Sequence, residues 1–171
     1  MQVLNQYQSS ELLQRFPSFE LSYETVSHKK VSEQYNITLA IPYGKKAYMW
    51  FTFYKDKNVC FLLETARDKK ISKVTILSDS QIPCKLAYNT LLYGSLCEFE
   101  NHDVPFFLVE ELLYYTGISL FKQPLRERFS FLELFFQEYN SVLKTHCPMG
   151  IALPMIWTFN ENLPLSWQDS V

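Results

Sequence analysis

NTLLYGSL, at residues 89–96, is the stretch of the sequence that decides the fold. It belongs to a longer run, residues 89–99, that is rich in apolar and β-prone side chains. Four polar residues, 100–103, separate this run from a second one at residues 104–113. Two such runs around a short polar turn are typical of an antiparallel hairpin. The stretch therefore predicts two paired strands.

The sequence before this hairpin predicts further strands. Apolar side chains alternate with Thr38 and Ala40 over residues 37–41, which is the period of a half-buried strand. Residues 47–54 and 59–63 are β-prone runs on either side of the polar turn at 55–58, so they predict another hairpin. Residues 71–77 predict one more strand.

Helices are predicted at both ends of this strand-rich region. Residues 9–15 have a helical pattern that Ser10 would cap. A longer helix is predicted to begin at Pro124, because the missing N–H of proline costs nothing at a helix start. A last strand is predicted at residues 151–158, where Pro154 indicates an edge or a bulge. Antiparallel hairpins followed by a helix predict an α+β fold. The apolar face of the longer helix consists of Leu125, Phe129, Leu132, Phe136, Tyr139 and Leu143.

Composition sets limits on the class of protein. The 171 residues, 47% of them hydrophobic, suffice for one domain with its own core, predicted over residues 1–160 with a loose tail at 161–171. The formal charge of the chain is −2. Binding to nucleic acid through its phosphates is favoured by a strong positive charge, which this chain does not have. The four cysteines form no CxxC pair, so we expect reduced thiols and no zinc site. Neither a signal peptide nor a membrane span is predicted.

The aromatic run around Trp50 leaves two interpretations open. Tyr48, Trp50, Phe51, Phe53 and Tyr54 cannot all lie on one face of a strand. Either both faces of the sheet are covered, or one aromatic row is exposed for a protein interface or for base stacking. The small basic cluster Lys69-Lys70 could contact phosphates, but solvated surface is the favoured interpretation.

Residues 88–136 carry a resemblance to a known family. NTLLYGSL resembles a family strand usually written GTLLDGELV, and FFLVEELLYYTG at 106–117 resembles an apolar strand that runs into D-L-L-Y-x-x-G. LFKQPLRER at 120–128 is similar to the helix start that follows in the family. The family is the nucleotidyltransferase domain of mRNA capping enzymes and nucleic-acid ligases. The resemblance implies an antiparallel-sheet domain of that kind, here without the OB domain.

The segment upstream adds to this resemblance. IPYGKKAYMWFTFYKDKNVCFLLE, at residues 41–64, is similar to capping-enzyme-like proteins of large DNA viruses. In active members a K-x-D-G motif supplies the lysine that attacks the α-phosphate of a nucleoside triphosphate. That motif falls on Ile41, Pro42, Tyr43 and Gly44, where only the glycine matches. We therefore expect no catalytic residue at this place.

Two further family positions have lost their charge. The two acidic residues of GTLLDGELV fall on Tyr93 and Ser95, and neither side chain can replace a carboxylate. Lys45 and Lys46 lie just beyond the degenerate motif and are possible substitutes for the lysine. The candidate residues of a vestigial cleft are Glu98, Glu110 and Glu111, of which the adjacent pair should point to opposite faces of a strand.

These residues support two functional hypotheses. The first is a non-catalytic protein of a large DNA virus that binds a protein partner, or a second copy of itself. It would act in a transcription or capping assembly or in a virion, within the host cytoplasm, with no cofactor and no metal. The alternative is a protein that still binds a nucleotide or an RNA 5′ end, with GTP or ATP, magnesium and residual nucleotidyl transfer.

Overall fold

A computed structural model describes residues 1–19, 37–40, 43–79, 81–97, 105–141, 148–153 and 156–158. Its described residues form three helices and ten strands. The elements are β1 (Gln2–Val3), α1 (Gln6–Leu13), β2 (Ile37–Leu39), β3 (Lys45–Tyr54), β4 (Lys57–Thr65), β5 (Ile71–Ser78), α2 (Cys84–Ala87), β6 (Thr90–Cys97), β7 (Phe106–Tyr115), β8 (Ile118–Ser119), α3 (Leu125–Ser141), β9 (Gly150–Ala152) and β10 (Ile156–Thr158).

Most of the strands form one open, mainly antiparallel sheet. Strands β5, β4, β3, β6 and β7 lie side by side in that order, with β1 on the outer edge of β5 and β8 beside β7. Strand β9 adds to β7 in parallel, and β2 pairs with β10 in a separate two-stranded sheet. The α+β class predicted from the sequence is confirmed by this arrangement.

Both predicted hairpins are present, and the first has a tighter turn than expected. Only Lys55 and Asp56 connect β3 to β4, and both have positive φ angles, 48° and 59°. Two left-handed residues are typical of a two-residue hairpin whose twist matches that of its strands. Lys57 and Asn58, predicted to belong to the turn, are the first residues of β4.

The first residue of NTLLYGSL lies outside the strand and fixes its start. Asn89 has a φ of 64°, a left-handed conformation that asparagine tolerates better than most residues. Its side chain accepts a hydrogen bond from the indole of Trp50 at 2.7 Å, and its carbonyl accepts one from the N–H of Gly117 at 3.2 Å. Asn89 therefore links the start of β6 to β3 and to the turn after β7.

One face of the sheet packs against α3 and α2. We call it the helix-covered face. Phe135 of α3 is fully buried and lies edge-on to Phe51 of β3, with ring centroids 5.8 Å apart. Tyr139 adds a polar contact, since its hydroxyl accepts a hydrogen bond from the N–H of Ile151 at 3.1 Å. The residues from the sheet and α2 that complete this cluster include Ala47, Met49, Cys60, Leu62, Leu86, Leu92, Phe107, Val109 and Leu112.

The opposite face packs against α1 and the segment that follows it. We call it the aromatic face. Phe16 lies edge-on to both Tyr48 and Trp50 of β3, with ring centroids 5.6 and 5.3 Å apart. Leu12 of α1 is fully buried in the same cluster. The first interpretation therefore holds for Tyr48, Trp50 and Phe51, because the first two lie on this covered face and Phe51 is buried on the other. Phe53 of the same run is 37% exposed.

Several element boundaries differ from the sequence predictions. Helix α1 begins three residues before residue 9, because Asn5 caps it and Gln8 completes a reciprocal capping box. Ser10 lies inside the helix and caps nothing. The strand predicted at 151–158 is two strands, β9 and β10, in different sheets. The short helix α2 was not predicted.

Parts of other predictions lie outside the described residues. These are the hairpin tip at 100–103, Leu143 and the side chain of Leu125, Cys147, Pro154 and the tail from residue 161. Cys60 and Cys97 are buried free thiols and Cys84 is an exposed one. None of the helices in the described part of the chain is long and apolar enough to cross a membrane.

Candidate functional site

Three strands bring most of the predicted site residues to one end of the sheet. Lys45 and Lys46 begin β3, Tyr93 and Ser95 lie on β6, and Glu110 and Glu111 lie on β7. The remaining predicted positions are upstream of β3 or after β6. Of these, Tyr43 is fully exposed, and Gly44 packs so closely on the Leu96 carbonyl that any side chain there would collide with it. Ile41, Pro42 and Glu98 lie outside the described residues.

Lys46, Ser95 and Glu110 form a compact polar cluster on the aromatic face. The Lys46 ammonium donates to Ser95 Oγ at 2.7 Å and to Glu110 Oε1 at 2.5 Å. The Ser95 hydroxyl donates to the same carboxylate oxygen at 2.5 Å. The Glu110 side chain is 1% exposed and that of Lys46 is 33% exposed. A carboxylate this deeply buried needs such partners, because an unpaired buried charge is strongly destabilising.

Strand register explains why the three side chains meet. Lys46 pairs directly with Ser95 across β3 and β6, so their side chains point to the same face. Across β6 and β7, Tyr93 pairs with Glu111 and Gly94 with Val109, which leaves Glu110 as an extra residue in a β-bulge. A bulge redirects side chains locally. It brings the Glu110 carboxylate to the pair formed by Lys46 and Ser95.

The two adjacent glutamates have separate partners. Glu111 accepts a hydrogen bond from Nη1 of Arg128, on α3, at 2.5 Å, whereas Glu110 is held by Lys46. Lys46 lies on the aromatic face and α3 covers the other face, so the partners of the two adjacent carboxylates lie on opposite sides of the sheet, as their positions predict. Both carboxylates still affect Tyr93. Burial, followed by the negative charge of Glu110, raises the pKa of the Tyr93 phenol to about 12, so this phenol is neutral at pH 7.

A pocket of about 360 Å³ opens beside the cluster. The buried phenols of Tyr48 and Tyr93 form its inner wall, with ring centroids 5.1 Å apart. The described residues that line it include four cations and no carboxylate. The full lining consists of Lys45, Lys46, Tyr48, Thr65, Ala66, Arg67, Lys69 and Tyr93.

The turn between β4 and β5 places two of these cations. The N–H of Ala66 donates to the carbonyl of Lys70 at 2.8 Å, and the N–H of Lys69 donates to that of Ala66 at 3.0 Å. Lys69 itself has a φ of 65°. This closed turn holds Arg67 and Lys69 at the pocket. Neither side chain forms an ion pair with any residue that the structure describes.

Lys45 is in a different electrostatic situation. Its ammonium lies 2.6 Å from Glu64, which also binds Lys73 at 2.9 Å. Burial alone would raise the pKa of Glu64, but the hydrogen bonds and charges of the two lysines outweigh burial and lower it. Glu64 is therefore a carboxylate shared by two ammonium groups, and this corner keeps a net positive charge.

The arrangement can bind an anion. Ammonium and guanidinium groups around a partly enclosed pocket attract phosphate or carboxylate groups, and neutral phenols offer hydrogen bonds and a flat apolar surface. Sequence reasoning identified Lys45, Lys46, Tyr93 and Ser95 for this region but not Tyr48, Arg67 or Lys69. The available signal was the basic cluster Lys69-Lys70, for which the sequence favours solvated surface over phosphate contact.

No family model and no curated protein sequence matches the chain.

Proposed function

We propose that this chain is a non-catalytic nucleotidyltransferase-like domain that binds the phosphate groups of a nucleotide or of an RNA 5′ end. One observation carries the proposal. A single pocket, lined by the phenols of Tyr48 and Tyr93, also has four cationic residues around it: Lys45, Lys46, Arg67 and Lys69. A chain with a formal charge of −2 gathers four cations at one place, which favours a ligand with several negative charges.

The state of Lys46 supports the non-catalytic part of the proposal. A lysine that attacks a phosphate must offer an uncharged amine with a lone pair. Lys46 instead makes two charge-assisted hydrogen bonds, to Ser95 and to the buried Glu110. Attack would require Lys46 to give up a proton and its hydrogen bond to Glu110. The buried Glu110 carboxylate would then lack a partner, which is strongly destabilising. Lys46 is better suited to hold an anion than to react with one.

A binding experiment with matched variants tests the proposal. The full chain is titrated with GTP and with a short 5′-triphosphate RNA in a calorimeter. We expect Arg67→Gln and Lys69→Gln each to weaken binding by about tenfold, because each removes a charge-assisted contact worth roughly 1.4 kcal/mol. Both side chains are exposed, so the variants should keep the wild-type stability.

Lys55→Gln is the matched control for these variants. It removes the same charge from the turn at the opposite end of β3, roughly 30 Å from Lys45 at the rise of an extended strand. Its affinity should equal that of the wild type. Equal losses in all three variants would indicate a general charge effect, and the absence of any binding would refute the proposal. Labelled GTP should leave no acid-stable adduct on the protein.

A second candidate function, a protein partner or self-association, is favoured by an exposed aromatic pair. Phe53 and Tyr88 lie edge-on with ring centroids 5.2 Å apart, and Tyr88 is 59% exposed. Exposed aromatic clusters are frequent at protein interfaces. Sedimentation velocity over a range of concentrations tests self-association, which Tyr88→Ser should reduce and Tyr7→Ser, on exposed α1, should not. A constant monomer mass would exclude self-association. Placement in a viral assembly or virion stays a prediction from the resemblance.

A further inference from the structure

We infer that the pocket binds its polyanionic ligand without a divalent metal ion, because the tethered ammonium of Lys46 supplies the fixed positive charge. This inference rests on the proposed function, and it names the form of the ligand that the pocket takes. Members of the family that this chain resembles use a magnesium-bound nucleotide. The described residues of the pocket do not fit that form.

The first step concerns the carboxylates near the pocket. Magnesium is usually held by one or two carboxylates together with the phosphates of the ligand. Glu110 is occupied by Lys46 and Ser95, Glu64 by Lys45 and Lys73, and Glu111 by Arg128. Within the described ranges, His, Cys, Asp and Glu side chains form no group of three that could hold a metal. Asp68, between Arg67 and Lys69, is 57% exposed and lies 3.8 Å from Lys70, but it does not line the pocket. At Glu64, Glu110 or Glu111 a metal would have to displace a lysine or an arginine from its partner.

The second step concerns charge. Four cationic residues line the pocket, and two of them, Lys45 and Lys46, are already paired with Glu64 and Glu110. The net positive charge that repels an incoming divalent cation therefore comes mainly from Arg67 and Lys69. A free triphosphate is instead attracted, since its full negative charge faces Arg67, Lys69 and the remaining N–H donors of the two paired lysines. Magnesium bound to the triphosphate cancels two of those negative charges. The metal complex should therefore bind more weakly than the free anion.

The third step concerns the position of Lys46. A free lysine side chain loses considerable rotamer entropy when it binds a ligand. Lys46 is already held by two short hydrogen bonds, to Ser95 Oγ at 2.7 Å and Glu110 Oε1 at 2.5 Å. An ammonium group can donate three hydrogen bonds, so one donor remains for the ligand. Ser95 and Glu110 are positioning residues for this cation.

The test compares the affinity for GTP in excess EDTA with that in excess magnesium, at matched ionic strength, by calorimetry on the full chain. Wild-type protein should bind in EDTA and lose about three- to tenfold in affinity when magnesium is present, because the metal screens the ligand charge. Binding that requires magnesium would overturn the inference and leave the proposed function intact. An absence of binding under both conditions would overturn both.

Two variants separate the role of Lys46 from a simple loss of charge. Lys69→Gln should bind more weakly but keep the wild-type preference for metal-free GTP. Lys46→Gln removes the same charge and also releases the Glu110 carboxylate, which could then hold magnesium. The affinity in EDTA divided by the affinity in magnesium should therefore be smaller for this variant than for the wild type. The double variant Lys46→Gln, Glu110→Gln lacks the released carboxylate and should return to the metal-free preference. It also covers the case in which the single variant fails to fold. Identical ratios in all variants would contradict the role given to Lys46.

Discussion

The two faces of the sheet differ in what covers them. The helix-covered face packs against the 17-residue helix α3, and its cluster is almost entirely apolar. On the aromatic face the described cover is the eight-residue helix α1 with the Phe16 segment, and the sheet carries a polar cluster and an open pocket at one end. Among the described residues, the helix-covered face thus carries the larger apolar cluster, and the aromatic face carries the polar cluster and the pocket.

The largest loss of stability is expected for Phe135→Ala on the helix-covered face. Phe135 is fully buried and contacts Phe51, Phe136 and Tyr139. Truncation leaves a cavity, and we expect a loss of about 3–5 kcal/mol in the free energy of unfolding. Urea denaturation followed by circular dichroism measures it. The neighbouring Leu134→Ala, where the side chain is 42% exposed, should cost far less. Similar losses for both residues would contradict the packing of α3.

The next effect is expected on the aromatic face, at the polar cluster. Lys46→Met leaves the buried Glu110 carboxylate without its cation, which should cost about 3 kcal/mol. Replacing both partners, as in Lys46→Met with Glu110→Leu, should recover most of that loss, because an apolar pair needs no charge partner. Unfolding free energies of the two single variants and the double variant give the coupling between them. Additive losses would show that the ion pair contributes no coupling energy.

A smaller effect should come from the cover of the aromatic face. Asn5→Ala removes the side chain that accepts the N–H of Gln8 at 2.9 Å and so opens the capping box of α1. We expect a loss of about 1 kcal/mol. Hydrogen exchange should be faster in α1 and unchanged in α3, and faster exchange in both helices would mean that the two faces unfold together. Asn5→Ser keeps a capping oxygen and should retain most of the stability.

The smallest effect is a pH dependence at the rim of the pocket. The pKa of Glu64 in the folded protein lies below its ordinary value of 4.5. A carboxyl whose pKa is lowered by folding stabilises the protein above the unfolded pKa and loses that contribution as pH falls through the folded pKa. As the pH falls below about 5, the wild type should therefore lose more stability than Glu64→Gln, by an amount that solvent screening keeps small. Parallel pH profiles for the two proteins would contradict this.

The sheet was predictable because its strands carry strong local patterns. The runs at 47–54 and 59–63 lie in β3 and β4, and the run from Asn89 contains β6. Pattern alone could not reveal the bulges in β7, since an extra residue appears only when a strand meets its partner. It also missed α2, a four-residue helix too short to show a period.

The site was predictable in part, for a related reason. Lys46 and Ser95 were identified by their positions next to motif segments, and the sheet register then brought them together. Arg67 and Lys69 were not identified, because only the closed turn between β4 and β5 turns a basic run toward a pocket. The sequence indicates which side chains carry charge. Contacts between residues distant in the chain determine which of those side chains lie next to the same pocket.

Because Glu110 is the extra residue of a bulge in β7, deleting this one residue would remove the charged cluster and leave the pairing of the sheet in place. Removing Glu110 alone would leave Val109 and Glu111 opposite Gly94 and Tyr93, which is regular antiparallel pairing at this place; the second bulge, between the partners of Leu91 and Leu92, would remain. Every later side chain of β7 would keep its face. The sheet thus has no geometric need for a residue at this position, and a protein with this fold could exist one amino acid shorter. Lys46 would then lose the carboxylate that tethers it, so the charged cluster depends on one residue that the ladder can omit.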